Sequence, residues 1–203
     1  MRSRSVVHTV IKVGGGLLAR AGAFDRVVDA LDAAAGHRIL VVPGGGPFAD
    51  TVRALSRRIE LDADTAHWMA ILGMEQYAHV LAFRIAGAKL VEGEGDIAAA
   101  LAAGRVPVLA PFRWLRAVDP LPHSWDVTSD SIAAWIAGAV GARRLVLVKP
   151  GAAEPMRLVD PYFQRALRPG IEHHVLAVDD VAALGLLLDE GGAQSPVAPP
   201  ERR

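Results

Sequence analysis

Of the 22 basic residues in the chain only Lys12, Lys89 and Lys149 are lysines. Two of them end β-like runs, Lys12 in "VIKVGGGLL" and Lys149 in "RRLVLVKPG". Gly14, Gly15 and Gly16 follow the first lysine, and a second triplet, Gly44, Gly45 and Gly46, closes the run "ILVVPGGG". Glycines at a strand end let backbone N–H groups approach an anion closely, because no Cβ intervenes. A compact ammonium beside such a turn adds the positive charge that a phosphate needs. The stretch "SWDVTSDSIAAW" then clusters Asp126, Thr128, Ser129 and Asp130 at one helix start. Ser129 or Asp130 could cap that helix, but capping needs only one of the four. An aspartate placed there can also hold lysine ammonium groups by charge-assisted hydrogen bonds.

Two familiar phosphate-binding designs are disfavoured. A Walker A loop ends in Gly-Lys-Ser/Thr, whereas Val13, Leu90 and Pro150 follow the three lysines. The dinucleotide pattern G-x-G-x-x-G/A is met by Gly14, Gly16 and Ala19 and by Gly44, Gly46 and Ala49, but the second strand runs into Pro43 where an acidic residue would hold a ribose. Two glycine-rich strand ends in one sheet, each receiving a phosphate-bearing group, suit phosphoryl transfer. Helices expected after both turns would add the positive ends of their dipoles. The histidines have no convincing metal spacing, so no metal site is expected.

The elements that must position these residues are βα units. Short β-branched runs alternate with Ala- and Leu-rich stretches, which predicts an α/β fold with a mainly parallel sheet. Strands are expected near 6–13, 38–42, 88–91, 106–110, 144–148 and 173–178. Helices are expected near 23–35, 47–58, 63–86, 96–103, 127–140 and 179–188, with Gly36, Gly87, Gly104 and Gly141 at C-terminal caps. The segment 111–125 has three prolines and three aromatics and reads as a binding loop. Residues 1–189 are read as one domain, and 190–203 has the composition of a disordered tail.

Equal numbers of basic and acidic residues, 22 each, give no field to attract nucleic acid or a membrane surface. A small-molecule substrate is the expected partner. The absence of cysteine and of a long apolar leader makes a cytoplasmic location the expectation. The stretch "DTAHWMAILGMEQYAHVLAFRIAG" puts Trp68, Met69, Leu72, Tyr77, Leu81 and Phe83 on one helix, more apolar bulk than one face can bury against a single sheet, and a homodimer is expected.

In order and approximate spacing, "IKVGGGLL", "VVPGGGPFAD", "WDVTSDSIAAWIA" and "LVLVK" resemble the amino acid kinase superfamily, over roughly residues 8 to 150. The longer string "DPLPHSWDVTSDSIA" is similar to the branch that acts on (aminomethyl)furan phosphates in making furan-containing C1 carriers, the methanofuran type. The resemblance implies a three-layer αβα sandwich around a mainly parallel sheet of about eight strands. It also implies an ATP- and Mg²⁺-dependent kinase. Lys12 would contact the transferring phosphoryl group, Lys149 would assist it, and Asp130 would orient both lysines. Gly14 to Gly16, with Thr128 and Ser129, would receive the nucleotide, and Gly44 to Gly46 the acceptor. Trp114, His123 and Trp125 would flank a flat ring, with Asp50 or Asp126 meeting an ammonium group on it. On this reading Asp130→Asn keeps the helix cap and leaves stability almost unchanged. A second reading stays open: a non-catalytic anion-binding or scaffold protein, suggested by "KPGAAEPMRLVDPYF", residues 149–163, where many relatives read like Thr-Asp-Val-Asp-Gly.

Overall fold

The structure, a computed structural model, describes residues 7–151 and 159–190. Six strands form one sheet: β1 (Thr9–Val13), β2 (Ile39–Pro43), β3 (Ala88–Val91), β4 (Val106–Leu109), β5 (Arg144–Lys149) and β6 (Glu172–Ala177). Their order is β3-β4-β2-β1-β5-β6, and every pairing is parallel. Each expected strand is present, but among the described residues the sheet has six strands rather than about eight. After β6 the chain turns through a 3₁₀ segment, Val178–Ala183, into α8 (Leu184–Glu190), which buries Leu184 and Leu188 against the core instead of extending the edge.

The helices are α1 (Ala23–Ala33), α2 (Gly46–Ile59), α3 (Ala63–Arg84), α4 (Glu94–Ala102), α5 (Phe112–Val118), α6 (Ser129–Ala139), α7 (Phe163–Ala166) and α8. Two hydrophobic clusters cover the sheet. One takes Ile11, Val13, Val146 and Val148 together with α1 and α8, and the other takes Val10, Leu145 and Leu147 together with α4 and α6. Side chains alternate along a strand, so Lys12 shares the face of Val10, and Lys149 continues the face of Leu145 and Leu147. Lys12 stands opposite Leu147 in the parallel register. Both lysines therefore project into the layer that contains α6, Lys149 two residues further along.

Chain direction places the glycine turns as well. From β1 the sheet is built outward through β2 on one side and through β5 on the other. The crevice at this reversal, beyond the carboxyl ends of the strands, is where open α/β sheets bind ligands. Gly14–Gly16, Gly44–Gly46 and Lys149 all stand there. The turns approach so closely that a Cβ on Gly15 would lie 2.0 Å from the Gly46 nitrogen, and one on Gly44 would lie 2.6 Å from the Gly15 nitrogen.

Several expectations need correction. The segment 111–125 is not wholly a loop, because α5 fills its first half, with the Phe112 N–H donating to Glu75 at 2.8 Å. Only the second glycine turn opens a full helix; the first leads into a five-residue 3₁₀ turn, Gly15–Ala19. Gly87, Gly104 and Gly141 have the positive φ of a helix-ending glycine, whereas Gly36 does not. The apolar surplus of α3 is mostly absorbed within the chain. Ile71 and Met74 enter one core and Tyr77, Ala78 and Leu81 the other, so two faces of this helix are buried. The expected tail lies outside the described residues apart from Glu190, the last residue of α8.

Gly15→Ala and Gly36→Ala should therefore behave oppositely. A Cβ at Gly15 collides with backbone, and crowding of this kind costs about 1–3 kcal/mol or more. A Cβ at Gly36 meets nothing within 4 Å, so that change should be neutral or stabilise by up to about 1 kcal/mol. Urea unfolding of both variants measures the contrast.

Candidate active site

Asp130 lies in the first turn of α6, facing the two lysines. Its Oδ1 is 2.8 Å from the Lys12 ammonium, and its Oδ2 accepts a hydrogen bond from Lys149 Nζ at 2.5 Å. Lys12 and Asp130 are each only 4% exposed. Burial alone would raise the Asp130 pKa, but the two ammonium groups outweigh it and hold the carboxyl below its ordinary value. Burial, and then repulsion from Lys12, pulls the Lys149 pKa down. One carboxylate thus balances two closely placed cations, leaving an excess of positive charge.

The helix start that carries Asp130 is fastened by a residue the sequence reading did not single out. Thr128 is the N-cap, its hydroxyl accepting from the Asp130 N–H at 3.4 Å, so neither Ser129 nor Asp130 caps the helix. Asp160 then takes hydrogen bonds from the Thr128 N–H at 3.0 Å, the Thr128 hydroxyl at 2.7 Å and the Ser131 N–H at 3.0 Å. The Ser131 hydroxyl and the Tyr162 N–H also donate to it. A carboxylate suits a helix N-terminus, where free N–H groups and the helix dipole favour negative charge. With this work done elsewhere, the Asp130 carboxylate is left for the lysines. The only local sign of Asp160 was a turn-like Asp-Pro, which says nothing about a helix 30 residues earlier.

A cavity of about 260 Å³ opens beside the bridge. Lys12, Lys149, Asp130, Thr128, Ser129, Gly15, Gly16, Gly45, Gly46, Asp50 and Trp125 line it. Gly14 and Gly44 stand behind the lining, where a Cβ on Gly14 would come 2.6 Å from the Val148 carbonyl oxygen. Three residues expected to contact the acceptor are not on the wall. Trp114 packs against Trp135 at 5.5 Å between ring centroids, because α5 turns it into the core. His123 is held behind the wall by Asp64 at 2.6 Å and Asp119 at 2.8 Å, and Asp126 is exposed outside the lining.

Besides Trp125, the wall carries the ring of His67 of α3, which stacks on His123 at 4.1 Å. Burial, reinforced by His123, lowers the His67 pKa to about 4, so it faces the cavity as a neutral imidazole. Burial opposes protonation of His123 too, but its two carboxylate partners win and its pKa is raised. Arg53 and Met74 complete the wall on the α2 and α3 sides. An i, i+3 spacing from Asp50 could have pointed to Arg53; nothing local marks His67.

The sequence model of the amino acid kinase family matches residues 8–150. The chain belongs to the amino acid kinase family. The match runs from the residue before β1 to the residue after Lys149, so it contains both glycine turns and the charge bridge. The chain is 26% identical over 138 residues to the [5-(aminomethyl)furan-3-yl]methyl phosphate kinase of Methanocaldococcus jannaschii. That alignment covers 68% of this chain and 63% of the relative. In fold the chain resembles the UMP kinase of Ureaplasma parvum, with a TM-score of 0.68 at 13% identity, over 89% of this chain and 94% of that one. The uridylate kinase of Archaeoglobus fulgidus gives 0.53 at 17% identity, over 73% and 68%.

Burial overturns the expectation that Asp130→Asn leaves stability unchanged. Removing one partner of a buried ion pair strands the remaining charge, at about 3–5 kcal/mol. The folded pKa of Asp130 lies below its ordinary 3.8. Its contribution is thus fully present above that value and is lost as pH falls through the folded pKa. Asp130→Asn should be clearly less stable than wild type at neutral pH, with the gap closing on acidification below pH 3.8. Unfolding curves of both proteins across this range test the expectation.

Proposed function

We propose that the protein is a kinase that transfers the γ-phosphoryl group of ATP, as its Mg²⁺ complex, to the phosphate of a small acceptor bearing an (aminomethyl)furan-type ring. The observation that carries this reading is the Lys12–Asp130–Lys149 bridge, which lines one cavity together with both glycine turns. Phosphoryl transfer needs charge neutralisation and in-line placement more than covalent help. Lys12 and Lys149 supply the charge, and Asp130 holds both ammonium groups in place. The chain around Gly14 to Gly16, with Thr128 and Ser129, takes the nucleotide phosphates, and Gly44 to Gly46 with the start of α2 takes the acceptor phosphate.

An acceptor phosphate oxygen bonds to the γ-phosphorus as the bond to the β–γ bridging oxygen breaks, and ADP leaves with that oxygen. The attacking oxygen is already ionised, so no general base is required. Mg²⁺ comes with the nucleotide, bound to its phosphate oxygens. Asp50, which lines the cavity and is exposed to it, meets the ammonium of the acceptor. The furan class is supported by the 26% identical relative, of which this chain spans 63%. Residues 152–158 of the segment that prompted the scaffold reading lie outside the described residues.

Calorimetry with ATP and Mg²⁺ separates kinase from scaffold, since a scaffold without a nucleotide site gives no heat of binding. Assays with [5-(aminomethyl)furan-3-yl]methyl phosphate and with UMP then test the acceptor. Diphosphate formation from the furan ester is expected, and turnover of UMP alone would move the chain to another branch. Lys12→Arg and Asp130→Asn should each lower turnover by about 100-fold or more; wild-type turnover in the Asn variant would remove Asp130 from the mechanism.

We also propose a homodimer that buries the remaining apolar face of α3, where Phe83 is 86% and Leu72 41% exposed. Light scattering at micromolar concentration should give twice the 21.5 kDa chain mass. Phe83→Glu should return the mass to that of one chain.

A further inference from the structure

Three cations line the cavity, and two of them, Lys12 and Lys149, already share Asp130. The third, Arg53, has no carboxylate partner among the described residues, although Arg20, Arg26, Arg84, Arg113 and Arg144 each have one. Its Nε is buried without a hydrogen-bond partner. The guanidinium lies over the Trp125 ring, 4.7 Å from the centroid. This contact holds the guanidinium over the ring and leaves its N–H groups to donate to an anion.

The position on α2 is specific. Ala49 and Arg53 lie at four-residue spacing on α2, and at the turn before the helix a Cβ on Gly45 would meet the Ala49 Cβ at 2.4 Å. Nothing larger than a methyl group separates Arg53 from the glycine turn at that spacing. Helical side chains lean toward the N-terminus. Arg53 is about 10 Å along the axis from the start of α2, and an extended arginine leaning that way spans much of this distance. Among the described residues that line the cavity, Arg53 is the one cation besides the two lysines that share Asp130, since His67 is neutral.

We infer that Arg53, stacked on Trp125, is the specificity residue that recognises the phosphate of a monoester acceptor at the α2 end of the cavity. The inference rests on the kinase reading for its substrate but not for its anion site. The α2 N–H groups and the guanidinium fork bind the same dianion from two sides, and Asp50, one turn from Arg53, selects acceptors that also carry an amine. An uncharged ring alcohol satisfies neither the fork nor the helix start and is rejected.

Two readouts test this. In steady-state assays with [5-(aminomethyl)furan-3-yl]methyl phosphate, Arg53→Met should raise KM by about 30-fold or more, the loss expected when a charge-assisted contact goes, with kcat nearly unchanged. Arg53→Lys should recover only part of it. In parallel, inorganic phosphate titrated without nucleotide should change the indole fluorescence of wild type, but not of Arg53→Met or Trp125→Phe. If wild type turns over and Arg53→Met keeps its KM, the Arg53 assignment is overturned and the kinase reading stands. If no acceptor is turned over but the phosphate signal depends on Arg53, the kinase reading fails and the anion site stands. If neither activity nor an Arg53-dependent signal is found, both are overturned.

Discussion

One carboxylate between two ammonium groups is the constraint around which the rest of the molecule is arranged. Two lysines buried side by side repel each other, and the cost rises steeply as water is excluded. Asp130 makes their approach tolerable, and for this it must sit at one end of α6, against the ends of β1 and β5. The parallel register sets the lysines on one face, two residues apart along neighbouring strands. The packing of Ile132, Ala133, Ile136 and Ala137 fixes the height of α6 above that face. A shift of one residue in either strand would turn a lysine into the opposite apolar layer.

The division of labour at the start of α6 follows from the same constraint. Both Asp130 oxygens are engaged by ammonium groups, so the free N–H groups of its helix need other acceptors. Thr128 and Asp160 supply them, and Asp130 is left to hold the lysines. Asp160 makes this possible because the chain returns from β5 toward the same helix. Asp160 and Tyr162, described residues of the connection after β5, thereby become part of the support of the charge bridge.

The glycine turns answer a different requirement, that backbones approach as closely as side chains allow. Gly15 and Gly46 are near enough that any Cβ on Gly15 would collide with the other turn. Gly15, Gly16, Gly45 and Gly46 are thus brought to one crevice, a placement suited to two phosphate-bearing groups that must meet. The α2 and α3 walls then differ in character from the strand ends. They contribute an exposed carboxylate, a stacked arginine, a neutral imidazole and apolar side chains, which is chemistry for choosing a ligand rather than for neutralising charge.

What the sequence by itself determined was whatever depends on neighbours along the chain. The periodicity of apolar residues marked all six strands and most helices, the glycine triplets marked the turns, and the scarcity of lysine drew attention to Lys12 and Lys149. Asp130 was legible because four polar residues at one helix start exceed what capping needs. The tertiary structure decided what depends on meetings between distant segments. Trp114 reads like a ring-binding residue, but α5 turns it against Trp135. His123 gives its place on the wall to His67, because Asp64 and Asp119 close on it from two sides. The surplus of α3 looked like an interface, yet most of it is divided between two cores. Asp160 and Arg53 carry only weak local marks, since an Asp-Pro turn and an arginine three residues after Asp50 are ordinary until folding sets one against α6 and the other over Trp125. Propensity and spacing act within a few residues, whereas the pairing of charges and rings requires the backbone to have brought them together first.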